Sequence, residues 1–247
     1  MDYIGFFSGG GIKGLAYIGC IIALEERGIF CRRCAGTSVG AIFASLLASG
    51  YHGKELLHIA YQTDFQKLFK NNTFKDKVKK LGLTSTKELE QYLNNLYLKK
   101  NVRTFKDLYY NNDYKLKVIA TDLKKLKKLI LPMDLIDYNI NPNHYLVSKA
   151  VVMSSSLPFF FEPFKLNSDL IVDGGLKENI PQVSFLENLP KIYFVFKEKE
   201  NLDGYVIKID LPKIKTTDFF ISQEKIKELI RCGYESTINF MKDNLFK

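Results

Sequence analysis

Apolar positions fall along the chain in two rhythms, short β-type runs and longer stretches at helical spacing, with glycine turns joining one to the other. The first run, Tyr3-Ile4-Gly5-Phe6-Phe7, leads through Ser8-Gly9-Gly10-Gly11 into a helical stretch, Leu15 to Arg27. There Leu15, Ile18, Ile22 and the Ala23-Leu24 pair recur on one face, and Gly28 stops the helix. A second run, Ile29 to Ala35, leads through Gly36-Thr37-Ser38-Val39-Gly40 into a helix from Ala41 to Ser49, stopped by Gly50. Residues 53–70 predict one or two short helices. After the break at Asn71-Asn72, the capping box Ser85-Thr86-Lys87-Glu88 opens a helix to about Leu98. This insert reads as a helical packing layer or as a roof over a site. Leu116 to Asp122 and Leu126 to Leu131 predict strands, and Leu146 to Met153 a helix that ends at the serine run. Phe159-Phe160-Phe161 and Phe164, punctuated by Pro158 and Pro163, predict a bulky apolar loop. Ile192 to Phe196 and Tyr205 to Ile209 are further strands. Gln223 to Phe246 is a closing amphipathic helix with Ser222 as N-cap and Glu224 in its first turn.

Strands that alternate with helices imply right-handed parallel crossovers and a sheet covered on both faces. The expected fold is α/β, three-layer α/β/α with a mainly parallel central sheet. No linker, repeat or low-complexity tract interrupts residues 1–247, which therefore read as a single domain. A hydrophobic content of 46% and a charged content of 26% are those of a folded globular chain. No stretch approaches 18 uninterrupted apolar residues, so no transmembrane helix is expected. The N-terminus enters the first strand at once, with no basic start or cleavable apolar segment, so no signal peptide is expected. Cys31-x-x-Cys34 has no second such pair, and with Cys20 and Cys232 it reads as structural thiols in a reducing cytoplasm.

Charge narrows the partners. A formal net charge of +9 favours anionic surfaces, and the lysines concentrate in Lys75 to Lys80, Lys99-Lys100 and Lys115 to Lys128. Nucleic acid is disfavoured, since no reading helix, zinc module or aromatic RNA-binding pattern accompanies them. A merely solvated lysine-rich face is the other reading. His52, His58 and His144 have no metal-ligand spacing, so no metal or other cofactor is expected.

The turn at Gly36 to Gly40 has the spacing G-x-S-x-G. It puts Ser38 on a tight strand-to-helix bend, where free backbone amides favour a developing negative charge. The plainer reading is a glycine-flanked helix N-cap. The first turn is ambiguous too. Gly9, Gly11 and Gly14 fit the dinucleotide-binding spacing G-x-G-x-x-G, but the second strand ends Cys31-Arg32-Arg33-Cys34-Ala35 without the carboxylate that would hold a ribose. Alternatively, the amides of Gly9, Gly10 and Gly11 form an oxyanion hole for a carbonyl attacked by Ser38.

Leu170-Ile171-Val172-Asp173-Gly174-Gly175 decides between these readings, because it ends a β-type run in a carboxylate able to reach Ser38. Asp122, the rival carboxylate, lacks a glycine frame and reads as a turn or capping residue. Three stretches together resemble the patatin-like family of lipid acyl hydrolases. They are Gly9-Gly10-Gly11-Ile12-Lys13-Gly14, Gly36 to Gly40 and Asp173-Gly174-Gly175, in the family's order. Ser154-Ser155-Ser156-Leu157-Pro158 and Asn179-Ile180-Pro181 also look like family positions. Lys13 stands where many members have arginine, and the charge is kept. Residues 51–115 match no family pattern.

The resemblance implies a serine acyl hydrolase acting on phospholipids or related lipids through a Ser38–Asp173 dyad. It implies Gly9, Gly10 and Gly11 as oxyanion donors, with Lys13, Gly14, Gly36, Gly40, Gly174 and Gly175 as supporting positions. With the lysine clusters, this predicts peripheral contact with anionic membrane surfaces. The alternative is a non-catalytic dinucleotide- or lipid-binding module that uses the glycine loop.

Overall fold

The computed structural model describes residues 1–68, 86–158, 160–197, 201–215, 218 and 221–244, without the side chains of 66 and 67. β1 (Asp2–Phe7) passes through the glycine loop and a 3-10 turn (Gly11–Leu15) into α1 (Ala16–Glu25). β2 (Phe30–Thr37) then feeds α2 (Val39–Ala48). The insert holds α3 (Gly53–Gln62), a short helical turn Phe65–Leu68 and α4 (Lys87–Leu98). A small hairpin, β3 (Tyr109–Tyr110) and β4 (Asp113–Tyr114), precedes β5 (Leu116–Asp122) and β6 (Lys127–Leu131). The chain continues with α5 (Val147–Ser155), β7 (Phe164–Leu166), β8 (Asp169–Asp173), β9 (Lys191–Val195), β10 (Tyr205–Lys208) and α6 (Gln223–Asp243).

β10, β9, β1, β2 and β5 are parallel neighbours in that order, and β6, β8 and β7 add antiparallel strands at the β5 end. The sheet is thus mixed and flanked by helices, in keeping with the three-layer plan. β1 shows why: its residues alternate between two cores, as a central strand buried on both faces must. Tyr3 and Phe7 join the large core under the helices, whereas Ile4 and Phe6 join a smaller one closed by Ile180, Val183, Phe185 and Leu189. Each face also carries a cross-strand aromatic stack with β9, Phe7 on Phe194 at 4.6 Å and Phe6 on Tyr193 at 4.5 Å. Outside α1 lies α6, close enough that a Cβ on Gly19 would strike the Ile230 carbonyl and one on Gly233 the Ala16 carbonyl.

The register at β5 positions the site. β2 pairs with β5 as far as Thr37 opposite Ile119, and β8 pairs with β5 from Asp173 opposite Ala120 to Ile171 opposite Asp122. β6 runs along residues 118–122 of the same strand, so it fills the other edge. β2 and β8 therefore share one edge of β5, with their C-terminal ends meeting between Ile119 and Ala120.

Several expected boundaries move. β2 extends to Thr37, so Gly36 belongs to the strand and the bend is tighter than the spacing implied. α5 runs to Ser155, which takes Ser154 and Ser155 into the helix. Phe164, expected in a loop, starts β7, because its backbone pairs with Ile171. Thr86 is the N-cap of α4 and makes no capping side-chain bond. Ser222 caps α6 as expected by accepting the Lys225 amide. Asn71-Asn72, Lys75 to Lys80, Ser85, Phe159 and Phe246 lie outside the described residues.

Candidate active site

β2 ends at Thr37 and α2 begins at Val39, so Ser38 alone makes the bend. Its backbone sits at φ 56° and ψ −127°, a conformation a non-glycine residue keeps only when its surroundings impose it. Steric crowding imposes part of it. A Cβ on Gly36 would strike the Gly40 carbonyl and one on Gly40 the Phe7 carbonyl, so β1, β2 and α2 meet without room for side chains. Hydrogen bonds supply the rest. Ser154 Oγ accepts the Ser38 amide at 2.9 Å and donates to the Ile119 carbonyl at 2.5 Å, while Ser155 Oγ donates to the Ser38 carbonyl at 3.2 Å. Sequence reasoning gave these two serines no role. The signal was a hydroxyl run closing an apolar helix just before Pro158.

Asp173 is 2% exposed at the end of β8. Its amide donates to the Ser156 carbonyl at 3.0 Å, and its Oδ1 accepts the Gly175 amide at 2.7 Å. Oδ2 is buried without a donor in hydrogen-bonding geometry. Burial pushes the carboxyl up to about 6, and the nearby Ser38 hydroxyl and the Gly175 amide pull against that rise. The Ser38 hydroxyl thus lies near enough to stabilise the charged carboxylate. Gly174 is obligatory in this turn because a Cβ would enter the Ile119 carbonyl.

Of the three amides expected to hold an oxyanion, that of Gly9 is taken: it donates to the Asn179 carbonyl at 2.9 Å, and Asn179 Nδ2 returns a bond to the Gly9 carbonyl at 3.4 Å. That leaves Gly10 and Gly11 as the amides of this loop still open to an acceptor. Their amides have no acceptor among the described residues and open the 3-10 turn, whose first amides lack partners within the turn. Lys13 lies in that turn, and Gly14 packs on Val39 at the start of α2.

Ser38, Asp173, Gly10 and Gly11 line one cavity of about 820 Å³. Most of its wall is apolar, with Ile42 and Leu46 from α2, Leu56 and Ile59 from α3, and Leu89 and Leu93 from α4. α3 and α4 of the helical insert therefore form part of the cavity wall. Lys13, Lys177 and Lys197 also line it. None of the histidines does: His52 Nδ1 lies 3.0 Å from Glu25, and His58 and His144 are exposed. Among the described residues no cluster of His, Cys, Asp or Glu could hold a metal ion.

The lysine-rich stretch 115–128 does not form the open cationic face its sequence suggests. Lys117 is buried between Asp113 at 2.9 Å and the Ser184 carbonyl at 2.6 Å. Lys124 and Lys125 pair with Asp169, Lys127 with Asp137 and Lys128 with Glu178, while Lys100 pairs with Glu55. Asp122 is the turn residue expected, with Oδ1 accepting the amides of Lys124 and Lys125.

The family model for patatin-like phospholipases matches residues 6–186. This chain belongs to the patatin-like phospholipase family. Its enzyme class is therefore that of the lipid acyl hydrolases. An uncharacterised Bacillus subtilis protein, YqhO, is 40% identical over 96% of this chain and 97% of its own length. A probable lipid hydrolase, 463L of invertebrate iridescent virus 6, is 25% identical over 70% of this chain and 60% of its own. In the solved ExoU–SpcU heterodimer of Pseudomonas aeruginosa, one chain matches the whole of this one at a TM-score of 0.62 and 19% identity. This patatin-like chain spans about half of that chain, and the likeness is one of fold.

Asp173 binds its proton more tightly in the folded chain, near pH 6, than an unfolded aspartate does near pH 4. Its contribution to stability is therefore fully present below about pH 4 and lost as pH rises through about 6. Asp173→Asn, which carries no charge, should raise stability at pH 8 by about 1–3 kcal/mol in chemical denaturation while removing activity. Wild-type turnover of a soluble ester should rise with pH through about 6 as the carboxylate ionises. A flat profile between pH 5 and 7 would contradict the assignment.

Proposed function

We propose that the protein cleaves fatty-acyl esters of phospholipids or related lipids by a serine–aspartate dyad without a metal. Ser38 Oγ attacks the ester carbonyl carbon as its proton passes to Asp173 Oδ2. The oxyanion is held by the Gly10 and Gly11 amides, and the positive end of α2, at Ser38, favours the same charge. Collapse expels the alcohol, which takes the proton from Asp173 and leaves an acyl-enzyme on Ser38. Water then attacks that ester, gives a proton to Asp173, and the fatty acid leaves as the proton returns to Ser38. One observation carries the reading: a buried carboxylate oxygen without a donor stands beside a strained serine, and both line an apolar cavity. The apolar wall suits an acyl chain. No observation favours a nucleotide, since the cavity is apolar and β2 ends in Gly36-Thr37.

The enzyme works, in this proposal, as a peripheral protein on anionic membranes. Supporting it are the three lysines that line the cavity and the exposed apolar side chains of Phe160 and Leu176. Among the described residues no helix is long and apolar enough to cross a membrane. The free cysteines support a reducing, cytoplasmic setting. Residues 1–247 form one domain in this reading, because β9, β10 and α6, from beyond the matched segment, complete the same sheet and core.

Hydrolysis of a soluble ester should fall at least about 10³-fold in Ser38→Ala and in Asp173→Asn. Replacing His52, His58 and His144 together by Gln or Asn should leave a folded protein with most of its activity. Loss as deep as that of Ser38→Ala in the histidine-free protein would exclude the dyad. Binding to anionic vesicles should weaken several-fold between low and physiological salt while turnover of the soluble ester stays constant. Salt-insensitive vesicle binding would refute the electrostatic contact.

A further inference from the structure

We propose that the last turn of α5 is a jig for the dyad, with Ser154 and Ser155 as positioning residues; this rests on the mechanism proposed above. The need for such a jig comes from the sheet. Where β2 gives way to β8 along β5, a ladder continued past Thr37 would pair the Ser38 amide with the Ile119 carbonyl. Instead the Ser154 hydroxyl stands between those two groups, bonded to each, so both are satisfied while Ser38 leaves the sheet. Ser154 is fully buried, and these bonds fix its hydroxyl from both sides. Ser155 holds the other end of the same residue through the Ser38 carbonyl. The next residue, Ser156, accepts the Asp173 amide on its own carbonyl.

Three consecutive residues thus grip both members of the dyad, and the Ile119 carbonyl that anchors Ser154 is also the one against which Gly174 packs. Rotation of the Ser38 peptide away from φ 56° would swing its hydroxyl from Asp173. A serine whose peptide groups are released would be intact but misaligned. Misplacement on the order of 1 Å can cost about 10²-fold in rate.

The test is steady-state kinetics on a soluble short-chain ester, with second-order labelling by a fluorophosphonate, for wild type, Ser154→Ala and Ser155→Ala. Thr237→Ala serves as a control, because it removes a buried hydroxyl bonded to the Gly233 carbonyl on α6, remote from the dyad. We expect kcat and the labelling rate to fall about 30–100-fold in Ser154→Ala, less in Ser155→Ala, with KM within about twofold of wild type. Thr237→Ala should lose stability without losing kcat. Wild-type kcat in folded Ser154→Ala and Ser155→Ala overturns the inference, as does an equal fall in Thr237→Ala at equal loss of stability. Should Ser154→Ala not fold, Ser155→Ala decides by the same criterion. A wild type inactive on every ester would remove the mechanism and this inference with it, whereas an active wild type with equally active serine variants removes the inference alone.

Discussion

The edge of β5 is where everything at the site is decided. It pairs with β2 as far as Ile119 and with β8 from Ala120 onward, and the two strands approach that junction from opposite directions. Each therefore presents its C-terminal residue to the other: Ser38 follows Thr37 out of β2, and Asp173 ends β8. A serine and a carboxylate 135 positions apart are brought together by backbone register. Side chains then refine the placement.

Two unfavourable arrangements persist there because the sheet imposes them. Holding Ser38 at positive φ costs roughly 1–3 kcal/mol, comparable to the net worth of the two hydrogen bonds from Ser154 and Ser155 at about 0.5–1.5 kcal/mol each. Burying Asp173 raises its proton affinity, which destabilises the charged fold at neutral pH; in the proposed mechanism the same shift improves an otherwise poor base. The fold tolerates both because the surrounding frame is rigid. Its paired aromatic stacks lock β1 to β9, and the close crossing of α1 on α6 backs the loop that carries the Gly10 and Gly11 amides.

Much of this was legible in the sequence for specific physical reasons. Gly36, Gly40 and Gly174 stand where backbone meets backbone, so the glycine spacing marks the turns, and those turns carry Ser38 and Asp173. What escaped depends on partners remote in the chain. Nothing local to Gly9 shows that Asn179 takes its amide, and nothing local to Ser154 shows that it reaches Ser38. The lysines from 115 to 128 looked like a free cationic surface because their carboxylates, Asp169 and Glu178 among them, arrive from β8 and the turn after it. Phe164 reads as loop in the sequence because proline neighbours hide a three-residue strand.

The most direct measurement is a crystal structure of the protein inactivated by a long-chain alkylphosphonate, a stable mimic of the tetrahedral intermediate. The account requires phosphorus on Ser38 Oγ, a phosphonyl oxygen within about 3 Å of the Gly10 and Gly11 amides, and the Asp173 carboxylate against the Ser38 oxygen. Its alkyl chain should run between α2 and α4. An adduct on any other residue, or one whose phosphonyl oxygen points away from Gly10 and Gly11, would contradict it.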